Sequence, residues 1–98
     1  MKKGYWIVAY RLIPDVSVLN EYGKVALPAI QAGGGKALVR TSEAIEPHEM
    51  GLMQRVVVVE FESFDKAKAT YHSEAYQAAL KVLGSSVERD FRIVEGAE

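Results

Sequence analysis

The middle of the chain, residues 55–61, reads R-V-V-V-V-E-F and contains four consecutive β-branched residues. Such a run is typical of a β-strand, because branched side chains pack well on a pleated surface and alternate between its two faces. One face would carry Val57, Val59 and Phe61, and the other Val56, Val58 and Glu60. Because both faces are largely apolar, we predict a central strand that is covered on both sides.

Three further segments have the aromatic, β-branched or alternating character of strands. They are Tyr5–Leu12, Lys36–Arg40 and Arg89–Val94. In the first, Trp6, Val8 and Tyr10 would share one face, and Tyr5, Ile7, Ala9 and Arg11 the other. The polar residues 41–54 indicate a long loop before the central strand.

Apolar residues recur at helical spacing in three segments. Asp15 or Ser17 can cap the first helix, Ser63 the second and Ser73 the third, which Gly84 ends. The first helix would carry Val16, Leu19, Tyr22, Ala26 and Ile30. Since Pro28 lacks a backbone donor, we expect this helix to kink or break near Ala26.

The segment Gly33–Lys36, G-G-G-K, resembles a phosphate loop in composition but not in position. A phosphate loop lies between a strand and the start of a helix, where the N-terminal amides face the anion. These glycines instead follow a helix and precede a strand. We therefore predict a left-handed C-cap and a tight reversal of the chain.

The order strand, helix, strand, strand, helix pair, strand predicts an α+β fold of the ferredoxin-like βαββαβ type. Its four-stranded antiparallel sheet would have the first and third strands in the centre and helices on one face. The other face would carry Ile7, Ala9, Val56, Val58 and Leu38. Because contiguous apolar patches usually mark interaction surfaces, we expect a homodimer through this sheet face.

Composition narrows the class of protein. At 98 residues the chain is expected to form a single domain spanning 1–98, and a net charge of −1 gives no general attraction to nucleic acid. No cysteine is present, the apolar runs are too short to cross a membrane, and the start lacks a signal-peptide pattern. We expect a cytoplasmic protein that binds neither nucleic acid nor membrane.

Several side chains are candidates for chemistry. Glu60 within an apolar strand needs a partner, and Arg11, Arg40 or Arg92 could share its face. This predicts an interfacial ion pair. The alternative is that Arg40 or Arg92 binds an anionic or carbonyl ligand, with Glu60 at the same site.

Tyr71 and His72 lie at the joint between the second and third helices and are tentative catalytic residues, because a phenol and an imidazole can move protons. The alternative is that Tyr71 anchors the helix and His72 bonds locally. Trp6 and Tyr76, with Tyr10 and Tyr22, either line an aromatic ligand pocket or form plain core. His48 lies near Glu46 and Glu49, but the two histidines have no metal-ligand spacing, so neither metal nor cofactor is predicted.

Five blocks that occur in order resemble the domain-of-unknown-function family 1330. They are G-Y-W-I at 4–7, L-V-R at 38–40, V-V-V-E-F at 57–61, Y-H-S-E-A-Y-Q at 71–77 and I-V-E-G at 93–96. The resemblance implies a dimeric α/β barrel, in a superfamily that also holds cofactor-independent monooxygenases and muconolactone isomerases, but it implies no reaction. The chain departs from the family pattern where Thr41 and Ser42, rather than a glycine pair, follow Arg40.

The sequence is therefore compatible with two alternative functions. The first is a homodimeric protein that binds a small organic metabolite between sheet and helices. The second is a cofactor-independent monooxygenase or isomerase acting on a small aromatic or carbonyl substrate, in which Tyr71 or His72 handles a proton and Arg40 steadies an anionic intermediate.

Overall fold

The computed structural model describes residues 2–85 and 87–98 and contains four strands and three helices within them. The strands are β1 (Gly4–Leu12), β2 (Lys36–Thr41), β3 (Val56–Phe61) and β4 (Glu88–Glu95). The helices are α1 (Val16–Ala32), α2 (Phe64–Tyr71) and α3 (Glu74–Leu83). All seven predicted elements are present, and each strand lies within one residue of its predicted bounds.

The strands form one antiparallel sheet in the order β2-β3-β1-β4. The first and third strands are central, as predicted, and the protein has the ferredoxin-like α+β fold. All three helices pack on one face: α1 lies against α3, and α2 lies against β1, β3 and β4. None of the helices in the described part of the chain combines the length and apolar character needed to span a bilayer.

The predicted helix caps are confirmed. Asp15 caps α1 by accepting a hydrogen bond from the backbone amide of Ser17 at 2.9 Å. The hydroxyl oxygens of Ser63 and Ser73 accept bonds from the amides three residues ahead, at the starts of α2 and α3. These bonds satisfy backbone donors that have no partner within the helix.

The glycine run ends α1 as the sequence predicts. Gly34 has φ of 81°, and its amide donates to the Gln31 carbonyl, while the amide of Gly35 donates to the Ile30 carbonyl. This pair of bonds is the Schellman arrangement, in which a left-handed residue satisfies the last carbonyls of a helix. The segment is a helix terminator that turns the chain into β2.

Of the kink or break expected near Ala26, the break is wrong. The helix runs without interruption from Val16 to Ala32 with Pro28 inside it. Pro28 is exposed on the helix surface, so its ring does not disturb the buried positions Ala26 and Ala29. The packing of α1 on α3 holds the helix together despite the missing backbone bond.

The core lies between the sheet and the helices. Trp6, Val8 and Tyr10 of β1 and Val59 and Phe61 of β3 are buried, as predicted from their alternation. They pack against a helical layer that consists of Tyr22, Ala26, Ala29, Ala67, Tyr76, Ala79 and Leu83. The Trp6 indole nitrogen donates to the Ala67 carbonyl at 2.9 Å and ties β1 to α2.

No helix of residues 2–85 and 87–98 covers the opposite sheet face. Ile7 lies opposite Val58 and Ala9 opposite Val56, so these four side chains form a connected apolar surface, which we call the open face. Val39, rather than Leu38, lies across from Val58, because a bulge between Ala37 and Val39 shifts the register of β2. The prediction for Leu38 was one residue out of register.

Within the described part of the chain Glu60 does not pair with an arginine, and an ion pair between two copies stays a prediction. Arg40 lies opposite Val57 and therefore faces the helices, while Arg92 bonds to Asp90 at 3.0 Å. The carboxylate of Glu60 instead accepts a hydrogen bond of 3.1 Å from the hydroxyl of Tyr5, its neighbour across β1. Register decides the position of Arg40, because the bulge in β2 moves it to the other face of the sheet.

Candidate functional site

A cavity of about 750 Å³ lies between α1 and the helix-covered side of β1, β2 and β3. It exists because α1 packs against α3, near β1 and β4, and leaves the edge of the sheet at β2 only partly covered. Its volume is within the range of small-molecule sites. We call it the α1 cavity.

The walls of the α1 cavity are mainly apolar. The sheet contributes Trp6, Val8, Val57, Val59 and Phe91, and α1 contributes Leu19, Ala26, Leu27 and Ile30. Val57 is only partly buried, although it lies in a central strand, because the cavity replaces the packing that it would otherwise have. Apolar walls of this kind stabilise the apolar part of a ligand by removing it from water.

Gly23 gives α1 a smooth inner surface at the cavity. It lies in the middle of the helix and lines the wall, and an added Cβ would meet nothing within 4 Å. A mid-helix glycine costs roughly 0.5–1 kcal/mol relative to alanine. The chain therefore carries a residue that weakens α1 and keeps the cavity wide at this point.

Arg89 lies at the inner end of the cavity, surrounded by phenols. It is opposite Tyr10 in the β1–β4 pairing, and its Nη1 donates to the hydroxyls of Tyr10 at 3.2 Å and Tyr22 at 3.3 Å. Its Nη2 donates to the hydroxyl of Tyr76 at 3.0 Å. The guanidinium also lies 4.9 Å from the ring centre of Phe91, within range of a cation–π contact.

The ionisation of this cluster follows from its burial. Burial raises the pKa of Tyr10 and of Tyr76 above the ordinary value and outweighs the opposing effect of the Arg89 charge. Burial acts to lower the pKa of Arg89, but the neighbouring oxygens of Tyr22, Tyr76 and Tyr10 act to raise it and prevail. Burial therefore favours the protonated phenols of Tyr10 and Tyr76 beside the charged guanidinium.

Basic residues line the α1 cavity, although one of them, Lys24, is paired with Glu21 at 3.0 Å outside the lining. Five basic residues are among the described residues that line it, and no aspartate or glutamate is: Lys24, Lys36, Arg40, Arg55 and Arg89. Arg40 is exposed at the rim, and Arg55 is half-buried and donates to the Ser42 hydroxyl at 3.4 Å. A cavity with one sign of charge concentrates ligands of the opposite sign.

The structure brings two of the four predicted ligand-binding residues to the cavity. Trp6 and Arg40 line it. Tyr76 is fully buried behind it and reaches it only through its contacts with Arg89 and Tyr22. Glu60 is on the open face, so it and Arg40 belong to opposite sides of the sheet.

Tyr71 and His72, the tentative catalytic pair, lie away from the α1 cavity. Tyr71 is half-buried in an aromatic cluster with Trp6, Tyr76 and Phe91, with ring centres 5.1–6.2 Å apart. His72 is exposed and caps the end of α2 through its backbone amide. Neither residue lines this cavity, and their role in proton transfer stays a prediction.

His48 contacts Glu46 on the exposed loop between β2 and β3. Within residues 2–85 and 87–98, no three histidine, aspartate or glutamate side chains come together in a group that could hold a metal ion. The contact between His48 and Glu46 is exposed, and surface contacts of this kind contribute little to stability.

Sequence reasoning missed Arg89, Arg55 and Gly23. The signal for Arg89 was present, because Arg89, Phe91 and Ile93 alternate along β4 and two of the three are strongly apolar. That alternation places Arg89 on the helix-covered face. Gly23 and Arg55 had no such signal, since their role depends on a gap between α1 and the sheet edge that no local pattern specifies.

The fold and the cavity define an α+β protein of the ferredoxin-like type with an electropositive cavity between its helices and its sheet. More particularly, the chain belongs to the domain-of-unknown-function family DUF1330, which matches residues 3–97. This confirms the family resemblance carried by the five sequence blocks.

Solved structures agree with the fold. The chain is similar to RPA0582, a protein of unknown function from Rhodopseudomonas palustris, with a TM-score of 0.74 and 17% identity over 99% of this chain and 84% of that one. The structure of methylated RPA0582 gives a TM-score of 0.70 at 15% identity over 99% and 82% of the two chains. At these identities the likeness shows the fold alone. No curated protein matches the chain.

Proposed function

We propose that this protein binds a small organic metabolite in the α1 cavity. The observation that carries the proposal is the cavity itself, which combines apolar walls with a few convergent polar groups in a volume of about 750 Å³. That combination is characteristic of ligand sites, whereas unfilled space in a plain core is small and apolar. Gly23 and Arg89 support the proposal. Gly23 lines the cavity although a mid-helix glycine costs stability, and Arg89 brings a charged hydrogen-bond donor to the same cavity.

The test uses Trp6, which lines the cavity and is the only tryptophan in the sequence. A ligand in the α1 cavity should change its fluorescence, so a library of small metabolites can be screened directly. Native mass spectrometry of freshly purified protein should show a retained mass that is lost on denaturation. If no retained mass and no fluorescence response is found, the proposal is wrong.

Gly23→Leu separates binding from folding. The added side chain extends into the cavity and should abolish binding of any ligand found in the screen, while the better helix propensity keeps α1 stable. Gly23→Ala is the matched control. It should raise the free energy of unfolding by roughly 0.5–1 kcal/mol and leave binding nearly unchanged. Undiminished binding by Gly23→Leu would place the ligand elsewhere.

We further propose that two copies pack through their open faces to form a dimeric α/β barrel. Ile7 and Val39 on this face are 36% and 40% exposed, and they adjoin the half-buried Val56 and Val58. Glu60 and Arg92 supply both signs of charge at its margin, which suits a two-fold contact of a surface with itself. The cytoplasmic location expected from the sequence stays a prediction.

A further inference from the structure

We infer that the ligand of the α1 cavity is a small organic carboxylate, whose charged end binds Arg89 with Tyr10 and Tyr22 and whose apolar body lies along the cavity walls. The inference deepens the proposed binding function and rests on it. It concerns the chemical class of the ligand and the residues that select it, which the volume of the cavity alone does not specify.

Arg89 has no counter-charge among the described residues. The hydrogen-bond partners of its guanidinium are the phenol oxygens of Tyr10, Tyr22 and Tyr76, and no carboxylate lies within ion-pair distance of it among the described residues. Charges removed from water are normally paired. An anionic ligand entering the cavity would supply the absent partner.

The cluster around Arg89 has hydrogen-bond donors that remain for a ligand. A guanidinium has five N–H groups, and three of those of Arg89 reach phenol oxygens, which leaves two for a ligand. Each phenol also has its own hydrogen. One of these lies between Tyr22 and Tyr76, so the hydroxyl of Tyr10 and one hydroxyl of that pair are still able to donate. A carboxylate accepts bonds only, and its planar pair of oxygens matches the guanidinium.

The lining of the α1 cavity suits a carboxylate better than a phosphate. Phosphate sites commonly use helix N-termini or runs of backbone amides. The α1 cavity is lined by residues 19–31 of α1, away from its N-terminus at Val16, and its inner end presents side-chain donors beside apolar walls. One guanidinium with phenols beside valine, leucine and isoleucine suits an anion with a single charged group and a hydrophobic body. The basic residues at the rim attract such an anion without selecting it.

The experiment compares carboxylates with neutral molecules of the same shape. The probes are benzoate and hexanoate, against benzamide and hexanamide, with Trp6 fluorescence and thermal melting as readouts. Each carboxylate should bind the wild-type protein at least about tenfold more tightly than its amide, because hydrogen bonds to charged groups are worth more than neutral ones. Equal affinities for carboxylate and amide would overturn the inference.

Arg89→Gln tests the residue that makes the selection. This variant should lose the preference for carboxylate over amide. Arg92→Gln is the matched control, since Arg92 lies on the same strand but on the open face, and it should keep the preference. Should Arg89→Gln fail to fold, Tyr10→Phe provides the second variant. It removes one hydroxyl, keeps the ring, and should reduce carboxylate affinity while changing amide affinity little.

The outcomes distinguish the inference from the proposed function. If the metabolite screen yields a neutral ligand that Gly23→Leu blocks, the α1 cavity binds small molecules but the carboxylate class is wrong. If inorganic phosphate displaces benzoate more effectively than hexanoate does, the site selects phosphate and the inference is likewise wrong. If neither the screen nor the probes gives binding, both the inference and the proposed function fall.

Discussion

At the scale of single residues, Arg89 is the centre of the candidate site. A guanidinium among tyrosine hydroxyls keeps its charge, whereas the hydroxyls keep their protons because burial disfavours the phenolate. Strand register and helix packing produce this arrangement. Arg89 lies opposite Tyr10 in the sheet, and α1 and α3 bring the hydroxyls of Tyr22 and Tyr76 to the same guanidinium.

The raised pKa of Tyr76 predicts a loss of stability in alkaline solution. Since the folded state holds the proton more tightly than the unfolded state, the stabilisation is complete below pH 10, the ordinary pKa of tyrosine, and is lost as the pH rises further. The free energy of unfolding should fall by up to about 1.4 kcal/mol per pH unit for each such tyrosine. Denaturant unfolding at several pH values measures it. Tyr76→Phe should show a smaller slope, and an unchanged slope would exclude Tyr76 as the source.

At the scale of elements, the end of α2 and the start of α3 share one serine. The Ser73 hydroxyl donates to the Thr70 carbonyl at 2.7 Å and accepts from the Tyr76 amide at 3.2 Å, so it closes one helix and caps the next. Because Tyr76 stands in the first turn of α3, this cap also positions the hydroxyl that contacts Arg89.

Ser73→Ala should lower the free energy of unfolding by about 1 kcal/mol, the typical cost of losing an N-cap. Denaturant titration measures the change. The exposed Ser85, just after α3, gives the matched control, and Ser85→Ala should lie within about 0.5 kcal/mol of the wild type. Equal stabilities of the two variants would contradict the role assigned to Ser73.

At the scale of the whole molecule, the two faces of the sheet have different environments. One holds the core and the α1 cavity. The other, the open face, presents apolar side chains that water would otherwise cover, and fully burying one valine or isoleucine contributes about 1.5–3 kcal/mol. This surface is the physical basis of the proposed dimer.

Val58→Glu places a charge in the centre of the open face and should weaken the dimer by about a hundredfold or more, because a charge buried without a partner is expensive. Val82→Glu is the control, since Val82 is 42% exposed on α3, on the other side of the molecule. Sedimentation equilibrium across micromolar concentrations gives the dissociation constants. A wild-type protein that sediments as a monomer would remove the barrel proposal altogether.

The sequence by itself determined the elements and their order. The valine run, the alternation in β1, the caps at Asp15, Ser63 and Ser73 and the glycines after α1 are local signals, and local backbone preferences were enough to read them. The central position of β1 and β3 followed from the same patterns, because strands that are apolar on both faces need cover on both.

Only the tertiary structure decided which side chains meet. The bulge in β2 places Arg40 at the cavity, and Glu60 accepts a hydrogen bond from Tyr5 instead. A register shift of one residue cannot be recognised from a pattern of apolar residues. The continuity of α1 through Pro28 came from its packing on α3. The α1 cavity and the cluster around Arg89 depend on how far α1 stands from the sheet edge, and that distance is set by long-range packing rather than by any neighbouring residues.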